Sequence, residues 1–187
     1  MNDWPGAARA RASRQWPTLE GIVRRASEIE AIDGVIAIGS VATGDLDELS
    51  DVDVLVVVAP GAFEAVWAER HRLAGDPLVT WRPSSRPHPQ MKWMNWLTRD
   101  LIKVECGVVD PAAGGKELAE PFAVLLGDPS LADRFPRISL AVVKERRAAL
   151  QEQQRDFDRD ELTGGELIDW KLWELKHAVR ALRDGAA

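Results

Sequence analysis

Apolar positions recur at two different spacings along the first hundred residues, and the alternation predicts the element order. In PTLEGIVRRASEIEAI (residues 17–32) Leu19, Ile22, Val23, Ala26 and Ile29 fall on one face at helical spacing, with Thr18 placed to cap the start. The pair Asp33–Gly34 predicts a turn into VIAIGS, a strand rich in β-branched residues. A polar loop, Thr43 to Ser50, leads to DVDVLVVV, whose unbroken apolar tail predicts a strand covered on both faces.

PGAFEAVWAERHRLAG reads as a helix with Phe63, Val66, Trp67 and Ala74 inward, and LVTW as a short strand. QMKWMNWLTRDLIKVECGVVD predicts two strands joined near Thr98–Asp100 as a hairpin. Beyond Asp110, Pro and Gly at close intervals predict a connecting region with short helices. Residues 137–160 read as a charge-dense helix. Residues 165–184 read as another, opened by a Thr163/Glu166 capping box and followed by Gly185. Its stripe of Ile168, Leu172, Leu175, Val179 and Leu182 is spaced to pack internally. The pattern divides the chain into a mixed α/β unit over 1–112 and a helical C-terminal region over 113–187.

Composition narrows the function. The 187 residues, 45% of them hydrophobic, suffice for one core. A formal net charge of −6 without a long basic run makes a large nucleic-acid footprint unexpected. Cys106 is the only cysteine, so an internal disulfide and a cysteine-rich zinc site are excluded, and His71, His88 and His177 have no metal-ligand spacing. No apolar run approaches the ~20 residues of a membrane span. The chain reads as soluble and cytoplasmic, with no secretory signal in its first residues.

The candidate chemistry lies in IAIGSVATGDLDELSDVDVLVVV (residues 36–58). Residues two apart on a strand point the same way, so Asp51 and Asp53 share one face while Val52 and Val54 take the other. Like charges about 5–7 Å apart raise each other's pKa unless a cation lies between them. A hard divalent ion is the economical partner, and Mg²⁺ accepts few carboxylates completed by water and phosphates. Glu105, flanked by Val104 and Cys106 in LIKVECGVV, is a third acid inside an apolar strand. If its strand lies beside DVDVLVVV, three carboxylates converge, as a two-metal site requires. Gly39 permits close backbone approach to an anion, Ser40 adds a hydroxyl, and Gly44 lets the loop turn back toward the aspartates.

Gly39–Ser40, the spacer Val41 to Ser50, then Asp51–Val52–Asp53, resembles the nucleotidyltransferase superfamily that includes DNA polymerase β. Glu105 matches that family's third acid on a later strand. The resemblance covers Gly39 to Asp53 as a motif and about residues 17–110 as an architecture. It implies an α+β fold, a nucleotidyltransferase-type mixed β-sheet flanked by helices and followed by a helical C-terminal part. It also implies transfer of a nucleoside monophosphate from a nucleoside triphosphate, usually ATP, with Mg²⁺ (two ions) at Asp51, Asp53 and Glu105 and the donor phosphates at Gly39 and Ser40. Size and layout resemble the small aminoglycoside and lincosamide nucleotidyltransferases, which implies a small-molecule hydroxyl as acceptor.

Rival readings stand beside this one. An antitoxin-like minimal nucleotidyltransferase would bind or modify a partner protein, or pair with a second copy, through exposed apolar surface on the terminal helices. A non-catalytic nucleotide-binding module would have no physical reason to keep like charges together. Glu105 read blandly is a surface acid on an edge strand paired with a lysine across the sheet, and Lys103 on its face neutralises it, contacts phosphate or, read alone, is a solvated strand residue. Trp93 and Trp96 fall on opposite faces of one strand. His88 is a loop residue, Arg24–Arg25 and Arg146–Arg147 are solvated helix faces, and Asp110 is the next carboxylate along.

Overall fold

A computed structural model describes residues 13–83, 91–114, 117–146, 164–183 and 185. The helix expected over 137–160 is corrected at its start, where residues 137–139 form a strand; residues 140–146 are helical, and the remainder lies outside the described residues, as do Thr163, His88 and Arg147.

Helix α1 (Trp16–Ser27) starts at a proline-containing first turn with no side-chain cap, so Thr18 lies inside the helix. It buries Trp16, Leu19, Ile22 and Ala26. Strand β1 (Ile32–Ile38) follows, and Asp33–Gly34 sits within it, not in a turn before it. The reason is a close approach: a Cβ on Gly34 would stand 2.3 Å from the Leu126 carbonyl oxygen of the neighbouring strand. The register slips at the same place, between Ile32 and Gly34.

A short helix α2 (Gly39–Thr43) leads through the polar loop to β2 (Val52–Val58). The helix expected from Pro60 to Gly75 is broken into α3 (Phe63–Ala68) and α4 (His71–Ala74). β3 (Val79–Trp81), β4 (Met91–Leu97) and β5 (Lys103–Val109) complete the expected run, and β4 and β5 pair antiparallel as a hairpin.

The region after Asp110 holds more strand than its Pro/Gly spacing predicts. β6 (Leu118–Glu120) pairs parallel with β8 (Arg137–Ser139), and β7 (Ala123–Leu126) pairs antiparallel with β1. The six-stranded sheet has the order β3-β4-β5-β2-β1-β7, so it draws on both sides of residue 112. Two short 3₁₀ turns, Pro111–Ala113 and Pro129–Arg134, supply the expected short helices. A C-terminal helix, α5 (Gly164–Arg183), closes the described chain. This is the mixed α+β architecture expected.

Among the described strands of this sheet, β2 and β5 are the one parallel pair, and they lie at its centre. Val52, Val54, Val56 and Val58 of β2 pack with α1, α3 and α4 residues on one face. Leu55 and Val57 point to the other, where Leu118, Leu131 and Phe135 cover them. That cover ends before the N-terminal end of β2. The aspartates therefore emerge on the face opposite α1, at the edge of an apolar cluster.

Candidate functional site

Asp51 immediately precedes β2 and Asp53 is its second residue, directly in register with Glu105 of β5. Both acids lie on the face opposite buried Val52, Val54, Val104 and Cys106. Glu105 does not sit on an edge strand, because β5 is held between β4 and β2. Gly39 follows Ile38, the β1 residue in register with Asp53. It adopts φ +64°, and a Cβ there would stand 2.4 Å from Asp53 Oδ2. Asp53 thus has Gly39, just past β1, on one side and Glu105 of β5 on the other, with Ser40 half-buried one residue on.

The loop before Asp51 is built, not loose. Asp47 Oδ1 accepts from the Leu49 amide (3.1 Å) and the Ser50 hydroxyl (2.8 Å), while Ser50 Oγ accepts from the Asp47 amide (3.0 Å). Buried Gln15 donates to the Asp47 carbonyl at 2.7 Å, tying the loop to the start of α1. Gly44, at φ +77°, ends α2 by donating to the Ser40 carbonyl. This is the turn-back expected of it.

Residues 19–95 match the family model described as the nucleotidyltransferase domain. Over this stretch the chain is similar to a nucleotidyltransferase domain. The match runs from α1 into β4 and contains Gly39, Ser40, Asp51 and Asp53, whereas Glu105 lies just beyond it. No curated protein matches the chain. The resemblance read from the Gly39–Asp53 motif is therefore sound at the level of the domain.

Cations from β5 and from α5 face these acids. Lys103 is not a solvated strand residue: its side chain is 9% exposed, 2.6 Å from Glu105, 2.7 Å from Asp169 and 4.0 Å from Asp51. Burial alone would lower the Lys103 ammonium, and Glu105 and Asp169 together outweigh it, so its pKa stands above the usual lysine value. Lys176 pairs with Asp51 Oδ1. Burial pushes Lys176 down to about 8, with Arg180 adding to the fall and Asp47 opposing it. Asn95, buried beside Glu105 in register, donates to Asp169 at 3.2 Å.

Among the described residues no three His, Cys, Asp or Glu side chains are grouped to hold a metal ion. The expected convergence of three carboxylates is interrupted by ammonium groups: Lys103 holds Glu105 and Lys176 holds Asp51. The donor chemistry still suits a hard divalent ion. Asp51 and Asp53 offer only oxygen, and Cys106 is buried on the opposite face with its thiol pushed up to about 12 by burial. Gly39 leaves room beside Asp53 that any side chain would fill.

Asp110 has another task, accepting from the Gly61 and Ala112 amides at 3.1 and 3.0 Å. Sequence reasoning missed Asp47, Asn95, Asp169, Lys176 and Arg180. The three on α5 share one side at spacings of seven and four. That signal was legible, but the apolar stripe on the same helix pointed elsewhere. The stripe packs only in part: Ile168 and Leu172 are half-buried, Leu175 and Leu182 are 61% and 73% exposed, and no described residue of α5 is fully buried. Among the described residues no helix is long and apolar enough to cross a membrane.

Proposed function

We propose that the chain transfers a nucleoside monophosphate from a nucleoside triphosphate, ATP, to a hydroxyl of a small molecule of the aminoglycoside or lincosamide kind. The observation that carries this reading is the register of Asp53 with Glu105 beside Gly39, with Gly39 and Asp53 inside the stretch that matches the nucleotidyltransferase domain model. Asp51 and Asp53 would hold Mg²⁺, which neutralises charge on the phosphates and on departing pyrophosphate. Glu105 would be a further ligand or the base.

The chain's own residues orient the reactants. Gly39 admits a phosphate to the backbone, and Ser40 offers a hydroxyl. The acceptor oxygen attacks the α-phosphorus, the bond to the β-phosphate oxygen breaks, and pyrophosphate leaves. The acceptor's proton passes to a carboxylate, with Glu105 the nearest to β2 on the neighbouring strand. Lys103, held by Glu105 and Asp169, keeps positive charge on the acidic face through the neutral range. Most of the rate comes from positioning and charge compensation.

Pyrophosphate release tests this: each nucleoside triphosphate with Mg²⁺ against a panel of aminoglycosides, lincosamides and other polyols. Release that requires one acceptor is the expected result. Release by no acceptor would refute the small-molecule reading.

One observation favours a second reading, a protein partner or second copy on α5. Leu167, Trp173, Leu175 and Leu182 are exposed on that helix. Leu175→Glu should leave the thermal transition in place and abolish self-association or partner binding. Unchanged association would end this reading.

A further inference from the structure

Helix α5 lies on the acidic face with its polar side inward and much of its apolar surface outward. At 3.6 residues per turn, Asp169, Lys176 and Arg180 fall on one side. Lys176 pairs with Asp51, Arg180 grips Asp47 through two bonds of 2.8 and 2.9 Å, and Asp169 accepts from Lys103 and Asn95.

The first half of α5 is held by close backbone packing as well as by the Asp169–Lys103 pair, the second half by charge with little apolar burial. At its start Gly165 packs so closely that a Cβ would stand 2.6 Å from the Arg82 carbonyl oxygen and 3.3 Å from the Trp81 ring. At its far end, from Lys176 to Arg183, charges hold it: Lys176 on Asp51, Arg180 on Asp47, and Arg183 at 3.5 Å from Asp47. Val179 and Leu182 are exposed there and bring little apolar burial to the docking.

The carboxylate that Lys176 engages is the one a divalent ion would need. An ammonium group and a metal ion on one carboxylate repel each other, and a half-buried setting screens that repulsion poorly. We propose that the C-terminal half of α5 is a strap that a divalent cation displaces: Lys176 supplies the counter-charge to Asp51 when the metal is absent, and metal binding at Asp51 and Asp53 releases Lys176 through Arg183 while the Gly165 end stays seated. Linkage makes the effect reciprocal, so whatever holds the strap down weakens the metal by the same factor. The inference rests on the reading of Asp51 and Asp53 as the metal pair.

The experiment uses Mn²⁺ alone as probe, on the full chain. Binding is followed by the loss of the free-ion electron paramagnetic resonance signal, and α5 by amide hydrogen exchange with and without Mn²⁺. Lys176→Met should bind Mn²⁺ about tenfold more tightly than the wild type, as removal of a competing ion pair requires. Arg180→Gln should tighten it by a smaller factor, and serves as the test if Lys176→Met fails to fold by circular dichroism. In the wild type, Mn²⁺ should speed exchange over 176–183 and leave 164–168 unchanged.

Loss of Mn²⁺ binding in Asp53→Asn, with neither Lys176→Met nor Arg180→Gln tightening it and exchange in α5 unmoved, overturns the strap and leaves the metal pair standing. Equal Mn²⁺ binding by the wild type and Asp53→Asn, or none by the wild type and Lys176→Met, overturns the metal pair and the strap with it.

Discussion

Gly39 and Asp53 are so close that a methyl group on the glycine would stand 2.4 Å from the carboxylate oxygen. The two halves of the sequence motif, fourteen residues apart in number, are neighbours because Ile38 and Asp53 are in register on β1 and β2. The glycine also holds φ +64°, which an L side chain adopts at a cost of about 1–2 kcal/mol. Gly39→Ala should therefore lower stability by at least that amount in urea unfolding and reduce nucleotide transfer. A variant as stable and active as the parent would contradict this placement.

Lys103 and Glu105 are partners of unequal weight. Lys103→Met leaves Glu105 and Asp169 without their shared cation and should lower stability by about 1–3 kcal/mol. Glu105→Gln leaves Lys103 still paired with Asp169, so its thermal transition should fall less. Differential scanning calorimetry of the two variants checks the order, and the reverse order would remove Lys103 from the centre of the cluster.

The Arg180 guanidinium beside Asp47 holds that carboxyl well below the usual carboxylate range, against the effect of burial, with Ser50 and the Leu49 amide assisting. A depressed native pKa stabilises the fold above the unfolded value of about 4, and this contribution is lost as pH falls from there. Stability of the parent should drop from about pH 4 downward. Asp47→Asn should be less stable at pH 7 and lose stability less steeply in acid. Parallel pH profiles of the two proteins would contradict the assignment.

Cys106 is fully buried between Val104 and Val108 on the helix-covered face, and burial pushes its thiol up to about 12. At pH 8 it should resist a disulfide reagent in the folded protein and react at once in denaturant. Prompt reaction without denaturant would place it elsewhere.

The strand pattern was legible because the unbroken apolar tail of DVDVLVVV suits a strand covered on both faces, and because Asp53 and Glu105 each keep the period of two within their own strands. Gly34 misled: Asp-Gly reads locally as a turn, and only the neighbouring Leu126 carbonyl explains the glycine inside a strand. β7 was hidden in a Pro/Gly-rich stretch, since pairing with β1 is a tertiary fact. The Lys103–Glu105 pairing was open to sequence because the two share a face, whereas the burial of Lys103 was not, since Asp169 reaches it from α5, 66 residues on. The same helix carries two stripes, and by composition alone the apolar one is the natural candidate for burial. Lys176 and Arg180 show that opposite charges at the facing strand and loop select the polar one instead.

The most direct test of the central claim follows the α-phosphate itself. The protein is incubated with Mg²⁺ and nucleoside triphosphate labelled at that phosphate, with the acceptor panel, and Asp53→Asn is run in parallel. Label should move to an acceptor with the parent protein and stay in the nucleotide with Asp53→Asn. Label that never leaves the nucleotide, or transfer undiminished in Asp53→Asn, would contradict the assignment of Asp53 to metal-dependent nucleotide transfer.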